Sequence, residues 1–319
     1  MNAPVKPRDE GSFNKIDYRV RPAKQIERRM ISEALTYLQR LGPMGGYWYA
    51  GMGSISFLDF TMVHRALGVS RMLSIEHPDF VDRVTFNAPF SCVEIISGEA
   101  NSVLPTLDYS TPGIVWLDYD GKIDQSMLED VALLAGKLQP GSVLLVTLNC
   151  ESGRSAEQAK TEAKKIVSRI SAAKLPAGFN GASIEGKKYA SMLRQLFHDA
   201  VQERVSLRWR TGVDTHRVDV DQILNFVYSD NAKMCTFGWF VDSQGMRAKC
   251  GFEELDFYRS GVESFSIRPP VLTPKEIRHL NNQLPKTREV ASPGLSSDEL
   301  ESYIKLYRHF PTYFEVLEA

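Results

Sequence analysis

Between residues 47 and 149 the chain repeats one pattern: a short apolar run, a turn, then a helical stretch. This alternation constrains the fold more than any other feature. Residues 47–50, 71–76, 91–97, 114–119 and 142–149 read as buried strands, and 56–67, 79–86, 99–107 and 125–138 as the helices between them. A strand–helix alternation of this length specifies a parallel sheet with right-handed crossovers. Two further strand-like runs, 222–229 and 233–242, are joined only by Asp230-Asn231-Ala232. That link is too short for a crossover, so the pair is expected to be antiparallel. The expectation is an α/β chain whose mostly parallel, seven-stranded sheet is closed by an antiparallel hairpin.

Around this core the sequence divides further. Residues 1–21 are polar and expected to be loose. Pro22 opens a helix in which Ile26, Met30, Ala34, Leu38 and Leu41 recur at helical spacing until Gly42-Pro43 stops it. The core is placed at 22–150. Residues 151–218, with charged helices over 155–173 and 187–204, read as a helical insertion, and 219–268 as the terminal strands. A helical tail follows over 269–319, its helices opened by the capping boxes Thr273-Pro274-Lys275-Glu276 and Ser296-Ser297-Asp298-Glu299.

A length of 319 residues with 43% apolar and 24% charged side chains can bury a large core. The N-terminus lacks the apolar region of a signal peptide, and no apolar run approaches the roughly 18 residues that span a bilayer. A cytoplasmic protein without a membrane partner is expected. Cys92, Cys150, Cys235 and Cys250 lie far apart with no Cys-x-x-Cys spacing, and read as reduced, packed thiols.

The net charge of −1 hides an asymmetry. From Asp59 to Asp130 there are four basic against twelve acidic residues, and from Arg154 to Arg217 thirteen against six. Lys187, Lys188, Arg194, Arg204, Arg208 and Arg210 around Trp209, together with Arg19, Arg21, Lys24, Arg28 and Arg29, could form a face for phosphate or nucleic acid, with an aromatic for base stacking. The alternative is solvated helix faces paired with Glu157, Glu162 and Glu203. On the first reading Lys187, Lys188, Arg208, Trp209 and Arg210 are the substrate-binding candidates. No feature bears on oligomeric state.

The turn after the first strand, Ala50-Gly51-Met52-Gly53-Ser54, leads into a helix, where a doubly wound sheet lets backbone approach a ligand. Glu76 ends the second strand, 23 residues after Gly53, where a carboxylate can accept both hydroxyls of a ribose. Gly98-Glu99 ends the third strand. The fourth ends in Asp118-Tyr119-Asp120, whose carboxylates, two residues apart, point to one side. Such a pair could hold Mg²⁺, but the sequence offers no third ligand and no metal is assigned.

In this order the residues resemble a class I S-adenosylmethionine-dependent methyltransferase, and residues 18–149 resemble bacterial proteins labelled putative O-methyltransferases. The resemblance implies a Rossmann-like methyltransferase fold and S-adenosylmethionine as cofactor. By it Gly51 and Gly53 contact the methionine part, Glu76 the ribose, Gly98 and Glu99 the adenine edge, and Asp118 the amine or the incoming nucleophile. Asp118, Asp120 or His77 would be the base for O-methyl transfer, Asp118 first. The chain departs from the family pattern before the glycine turn, where Trp48 and Tyr49 stand in place of a common acidic residue, and at Ser56 in place of a third glycine. Two other readings stand beside this one: a non-catalytic nucleotide-binding or scaffold protein on the same fold, and an NAD-dependent oxidoreductase.

Overall fold

The computed structural model describes residues 21–210, 216–286 and 290–311; the side chains of Trp209 and Arg210, two of the substrate-binding candidates, lie outside the description, as does Arg19. The elements run α1 (Pro22–Thr36), β1 (Trp48–Gly51), α2 (Leu58–Leu67), β2 (Met72–Glu76), α3 (Val81–Asn87), β3 (Val93–Ser97), α4 (Ala100–Val103), β4 (Gly113–Lys122), α5 (Gln125–Lys137), β5 (Val143–Asn149), α6 (Ala156–Arg169) and α7 (Lys188–Arg210). There follow β6 (Val218–Ser229), β7 (Lys233–Ser243), α8 (Met246–Cys250), β8 (Phe265–Ile267), α9 (Pro274–Asn281) and α10 (Ser297–Leu306).

The described strands form one sheet in the order β3-β2-β1-β4-β5-β7-β6-β8. β1 to β5 are parallel, and β7 runs antiparallel to both β5 and β6. This is the expected Rossmann-like sheet with its closing hairpin, enlarged from seven strands to eight. The addition is β8, three residues that pair in parallel with the outer edge of β6. It is too short to show alternation.

Alternate residues of each buried strand feed two cores. Tyr49, Ile114, Trp116, Val143 and Leu145 pack with α1, α2 and the C-terminal helices; Trp48, Ala50, Val115, Leu117, Leu144 and Val146 pack with α5, α6 and α7. Period-two alternation with both faces apolar is what a sheet covered by helices on each side requires.

The segment expected to be an insertion belongs to the second of these cores. α7 buries Tyr189, Leu193, Phe197 and Val201 on a stripe at helical spacing, and it continues six residues beyond the expected end. Arg204 on its outer face is exposed, whereas Arg194 is buried and donates to Gln222 Oε1 at 2.6 Å; ion pairs join Lys160 to Glu157 and Arg169 to Glu162 on α6, and Lys174 to Glu203 of α7. Arg208 is 4% exposed and donates Nη1 to the carbonyls of Ala135 and Leu138 at the end of α5. It satisfies acceptors that a helix C-terminus leaves open. Arg208→Ala is therefore expected to lower the unfolding free energy by about 1–3 kcal/mol. Urea unfolding checks this, and a loss below about 0.5 kcal/mol would show the two carbonyls to be satisfied without it.

α1 is held by the hairpin turn. Asp230 accepts from the backbone N–H groups of Ala23 and Lys24 at 2.9 and 3.0 Å, supplying from the distant strands the anionic cap that the helix lacks in its own sequence. The tail helices start at the two expected capping boxes. His309 and Arg308 tie the tail to Glu33 of α1 at 2.6 and 2.7 Å. Among the described residues no helix is long and apolar enough to cross a membrane. Cys150, Cys235 and Cys250 are buried free thiols, and Cys92 is half-buried.

Candidate active site

The sheet order reverses between β1 and β4: from β1 the chain moves outward through β2 and β3, then returns to lay β4 on the other side. At such a point the crossovers leave in opposite directions and open a crevice at the strands' carboxyl ends. The chain has a cleft of about 370 Å³ there, lined among others by Met52, Gly53, Ser54, Glu76, His77, Gly98, Glu99, Asp118 and Asp120. The structure thus brings together the expected residues from four strand ends. Gly51 does not line it.

Backbone geometry explains the glycines. A Cβ on Gly53 would stand 2.5 Å from the Phe57 ring and 2.8 Å from Ser74 Oγ. The loop beyond Gly53 is tight, with Ser54 and Phe57 both at positive φ, 53° and 46°. Gly51 is required by packing: its Cβ would meet Tyr49 Oη at 2.8 Å and Asp59 Oδ2 at 3.3 Å. Gly98, at φ 151°, adopts a conformation that side chains disfavour, and its N–H donates to the Glu76 carbonyl.

Glu76 is 8% exposed and fixed by the loop it faces. Its Oε1 accepts from Ser54 N–H at 3.1 Å and Ser74 Oγ at 2.6 Å, while Gly53 N–H donates to Ser74 Oγ at 3.0 Å. Burial raises its carboxyl above the ordinary value, against the lowering effect of these donors. Both bonds fall on Oε1, so Oε2 is the oxygen left for a ligand.

Asp118 meets Lys24 with both oxygens, at 2.8 and 2.9 Å. Lys24 is 2% exposed, also pairs with the fully buried Glu27 at 2.9 Å, and lies over the rings of Trp116 and Tyr228. Glu27 accepts in turn from Thr236 Oγ1, which bonds Thr147 Oγ1, the acceptor of Trp116 Nε1. A polar chain therefore runs from the cleft wall through α1 to the hairpin.

Four residues of the site escaped the sequence. Lys24 and Arg28 were candidates for a phosphate-binding face; instead they turn inward, one α-helical turn apart, where Lys24 anchors Asp118 and Arg28, 7% exposed, lines the cleft. Asp59, in the first turn of α2, is 8% exposed and accepts from Tyr49 Oη at 2.5 Å, so a carboxylate stands beside the glycine turn although β1 has none. Burial raises its carboxyl, and burial together with the adjacent Asp59 raises the Tyr49 phenol well above its ordinary range. Asp130 of α5, 5% exposed, accepts from Tyr119 Oη at 2.7 Å. Asp120 is exposed at the cleft mouth.

His77 stands with Glu99, Nε2 to Oε1 3.5 Å, at the ends of β2 and β3, across from the ends of β1 and β4. Lys187 and Lys188 are exposed at the start of α7, and neither they nor Arg208 line the cleft. The cleft itself is acidic, with Asp59, Glu76, Glu99, Asp118, Asp120 and Asp130 against Arg28 and the neighbouring Lys24. Among the described residues no group of three or more His, Cys, Asp or Glu is arranged to hold a metal ion.

No curated protein matches the chain. Matching solved structures include an O-methyltransferase from Bacillus cereus in complex with SAH, at 14% identity over 72% of this chain and 86% of that one, TM-score 0.39. Another is the O-methyltransferase TomG from Streptomyces achromogenes, involved in tomaymycin synthesis and solved with SAM, at 16% identity over 74% and 91%, TM-score 0.35. A third is LepI in complex with SAH and a substrate analogue, at 12% identity and TM-score 0.38; the match covers 64% of this chain and 46% of LepI, about half its length. The family model described as "Putative O-methyltransferase" matches residues 16–318, nearly the whole sequence, and the chain belongs to that family.

Proposed function

We propose that the chain binds S-adenosylmethionine in the cleft between β1 and β4 and transfers its methyl group to a substrate hydroxyl. The observation that carries this reading is Glu76, a buried carboxylate clamped by Ser54 and Ser74 at the end of β2 with one oxygen left over. It is placed to accept the ribose hydroxyls, with Gly98 and Glu99 beside the adenine and Gly53 and Ser54 under the methionine part. Asp118, fixed on Lys24, is the acceptor for the amine.

Charge separates this ligand from a dinucleotide. A pyrophosphate would take the N-terminus of the helix after β1, where unpaired N–H groups favour an anion. Here the first turn of α2 carries the buried carboxylate Asp59, and five more carboxylates share the cleft. That field suits a cationic sulfonium and ammonium and opposes phosphate. The same field favours a neutral or cationic acceptor substrate over a nucleic acid or a phosphate ester.

When bound, S-adenosylmethionine supplies an electrophilic methyl carbon whose bond to sulfur breaks as the bond to oxygen forms. The chain contributes alignment and a place for the hydroxyl proton. Asp118 has both oxygens engaged by Lys24 and serves as a fixed acceptor. Asp130, which uses Oδ2 for Tyr119, takes the proton, and exposed Asp120 orients the substrate at the mouth.

Calorimetric titration with S-adenosylmethionine and with NAD tests the reading. Wild type is expected to bind the former, and Glu76→Ala to bind it about a hundredfold more weakly, as loss of charge-assisted bonds to two hydroxyls demands. The affinity is expected to be full above the raised Glu76 value and to fall as pH drops through it, because only the ionised carboxylate accepts from both hydroxyls. Glu76→Gln is expected to flatten that dependence. Binding of NAD in place of S-adenosylmethionine would overturn the assignment. Retained binding with no methyl transfer to any hydroxylated acceptor would support the scaffold reading.

A further inference from the structure

Arg28 is a buried guanidinium with two unmatched donors among the described residues. It lies on α1, four residues after Lys24, is 7% exposed and lines the cleft, yet its Nε and Nη1 have no hydrogen-bond partner among the described residues. A charged donor left unbonded in the interior is costly, and this one lines the cleft, where a ligand's acceptor can reach it. The groups around it do not supply that bond. Asp59 spends Oδ2 on Tyr49, and Asp118 turns both oxygens to Lys24 rather than to Arg28, each oxygen keeping a lone pair for a further donor. Asp230 and Lys24 meanwhile fix the helix that carries Arg28.

We infer that Arg28 and Asp118 together form a receptor for the zwitterionic end of an α-amino acid, with Arg28 taking the carboxylate and Asp118 the ammonium. The inference rests on the reading of the cleft as an S-adenosylmethionine site and names the group of that ligand that α1 recognises. Among the described residues Arg28 is the one Lys or Arg lining a cleft that presents six carboxylates, so a ligand's single anionic group is drawn to it. The planar fork of a guanidinium matches a carboxylate with two parallel bonds, which an ammonium in its place would not do. It follows that the site is completed from outside the sheet: a helix preceding β1 in the chain closes the methionine end of the cleft.

The test compares S-adenosylmethionine with its decarboxylated analogue, which keeps the sulfonium and ammonium and lacks only the carboxylate. By calorimetry wild type is expected to prefer S-adenosylmethionine by about 10- to 100-fold. Arg28→Met is expected to erase that preference while changing the affinity for the analogue by less than about threefold. Arg28→Lys, which keeps the charge and loses the fork, is expected to fall between, and it carries the comparison if the Met variant does not fold. If wild type binds S-adenosylmethionine but Arg28→Met or Arg28→Lys weakens both ligands equally, Arg28 is structural and the inference fails alone. If wild type binds neither ligand, the cofactor reading fails and takes the inference with it.

Discussion

Lys24→Met is expected to lower the unfolding free energy by about 3–5 kcal/mol, the cost of removing one partner from a buried ionic cluster. Lys24 faces two carboxylates at 2.8–2.9 Å, and one of them, Glu27, is completely buried. Methionine fills similar space and keeps contact with Trp116 and Tyr228, so the loss measures uncompensated charge rather than a cavity. Guanidinium unfolding of the single variant and of Lys24→Met combined with Glu27→Gln and Asp118→Asn separates the terms. The triple variant is expected to recover most of the loss. A single-variant loss below about 1 kcal/mol would put the cluster in the class of solvent-screened surface pairs and remove the basis for calling Asp118 a fixed acceptor.

That cluster also marks where sequence reasoning reached and where it stopped. Five parallel strands and the hairpin were legible because each is an apolar run bounded by turn residues, and the parallel order brings all their carboxyl ends to one edge. The spacing of these runs therefore places Glu76, Gly98, Glu99, Asp118 and Asp120 near one another. The residues that come from helices could not. Their position depends on which way a helix is rotated against the sheet, and for α1 the apolar spacing of Ile26, Met30 and Ala34 left Lys24 and Arg28 looking like part of a charged surface. Both are buried, along with Glu27. The available signal was the clash itself: Lys24 and Arg28 fall on the same side as Ile31 and Leu35, at intervals of three and four residues, and a charge on a buried stripe asks for a partner.

α7 presents the opposite case. Its basic residues leave two readings open, a phosphate-binding face and a solvated one paired with glutamates; the helix carries Tyr189, Leu193, Phe197 and Val201 into the core, Glu157, Glu162 and Glu203 hold ion pairs, and Arg208 bonds the end of α5. Counting charges weighs exposed positions and is blind to the stripe between them. The acidic count over residues 59–130, by contrast, did point somewhere, since Asp59, Glu76, Glu99, Asp118, Asp120 and Asp130 all converge on the cleft.

Turnover is expected to identify Asp130 as the proton acceptor. Asp130→Asn is expected to cut kcat by about 10²–10⁴-fold, the range of a positioned general base, with little change in affinity for S-adenosylmethionine. Asp118→Asn is expected instead to weaken cofactor binding, and Asp120→Asn to raise KM for the acceptor. The pH profile supplies the independent check. Burial, against the lowering effect of the Tyr119 hydroxyl and with help from Asp124 and Glu129, raises the Asp130 carboxyl above the ordinary aspartate value. A base works ionised, so kcat is expected to be full above that raised value and to fall as pH drops through it. Asp130→Asn removes that limb, and Tyr119→Phe, which removes a donor that lowers the carboxyl, shifts it to higher pH. An Asp130→Asn enzyme that keeps both its rate and its acid limb would return the role of base to Asp118 or Asp120, at the end of the strand rather than on the helix that follows it.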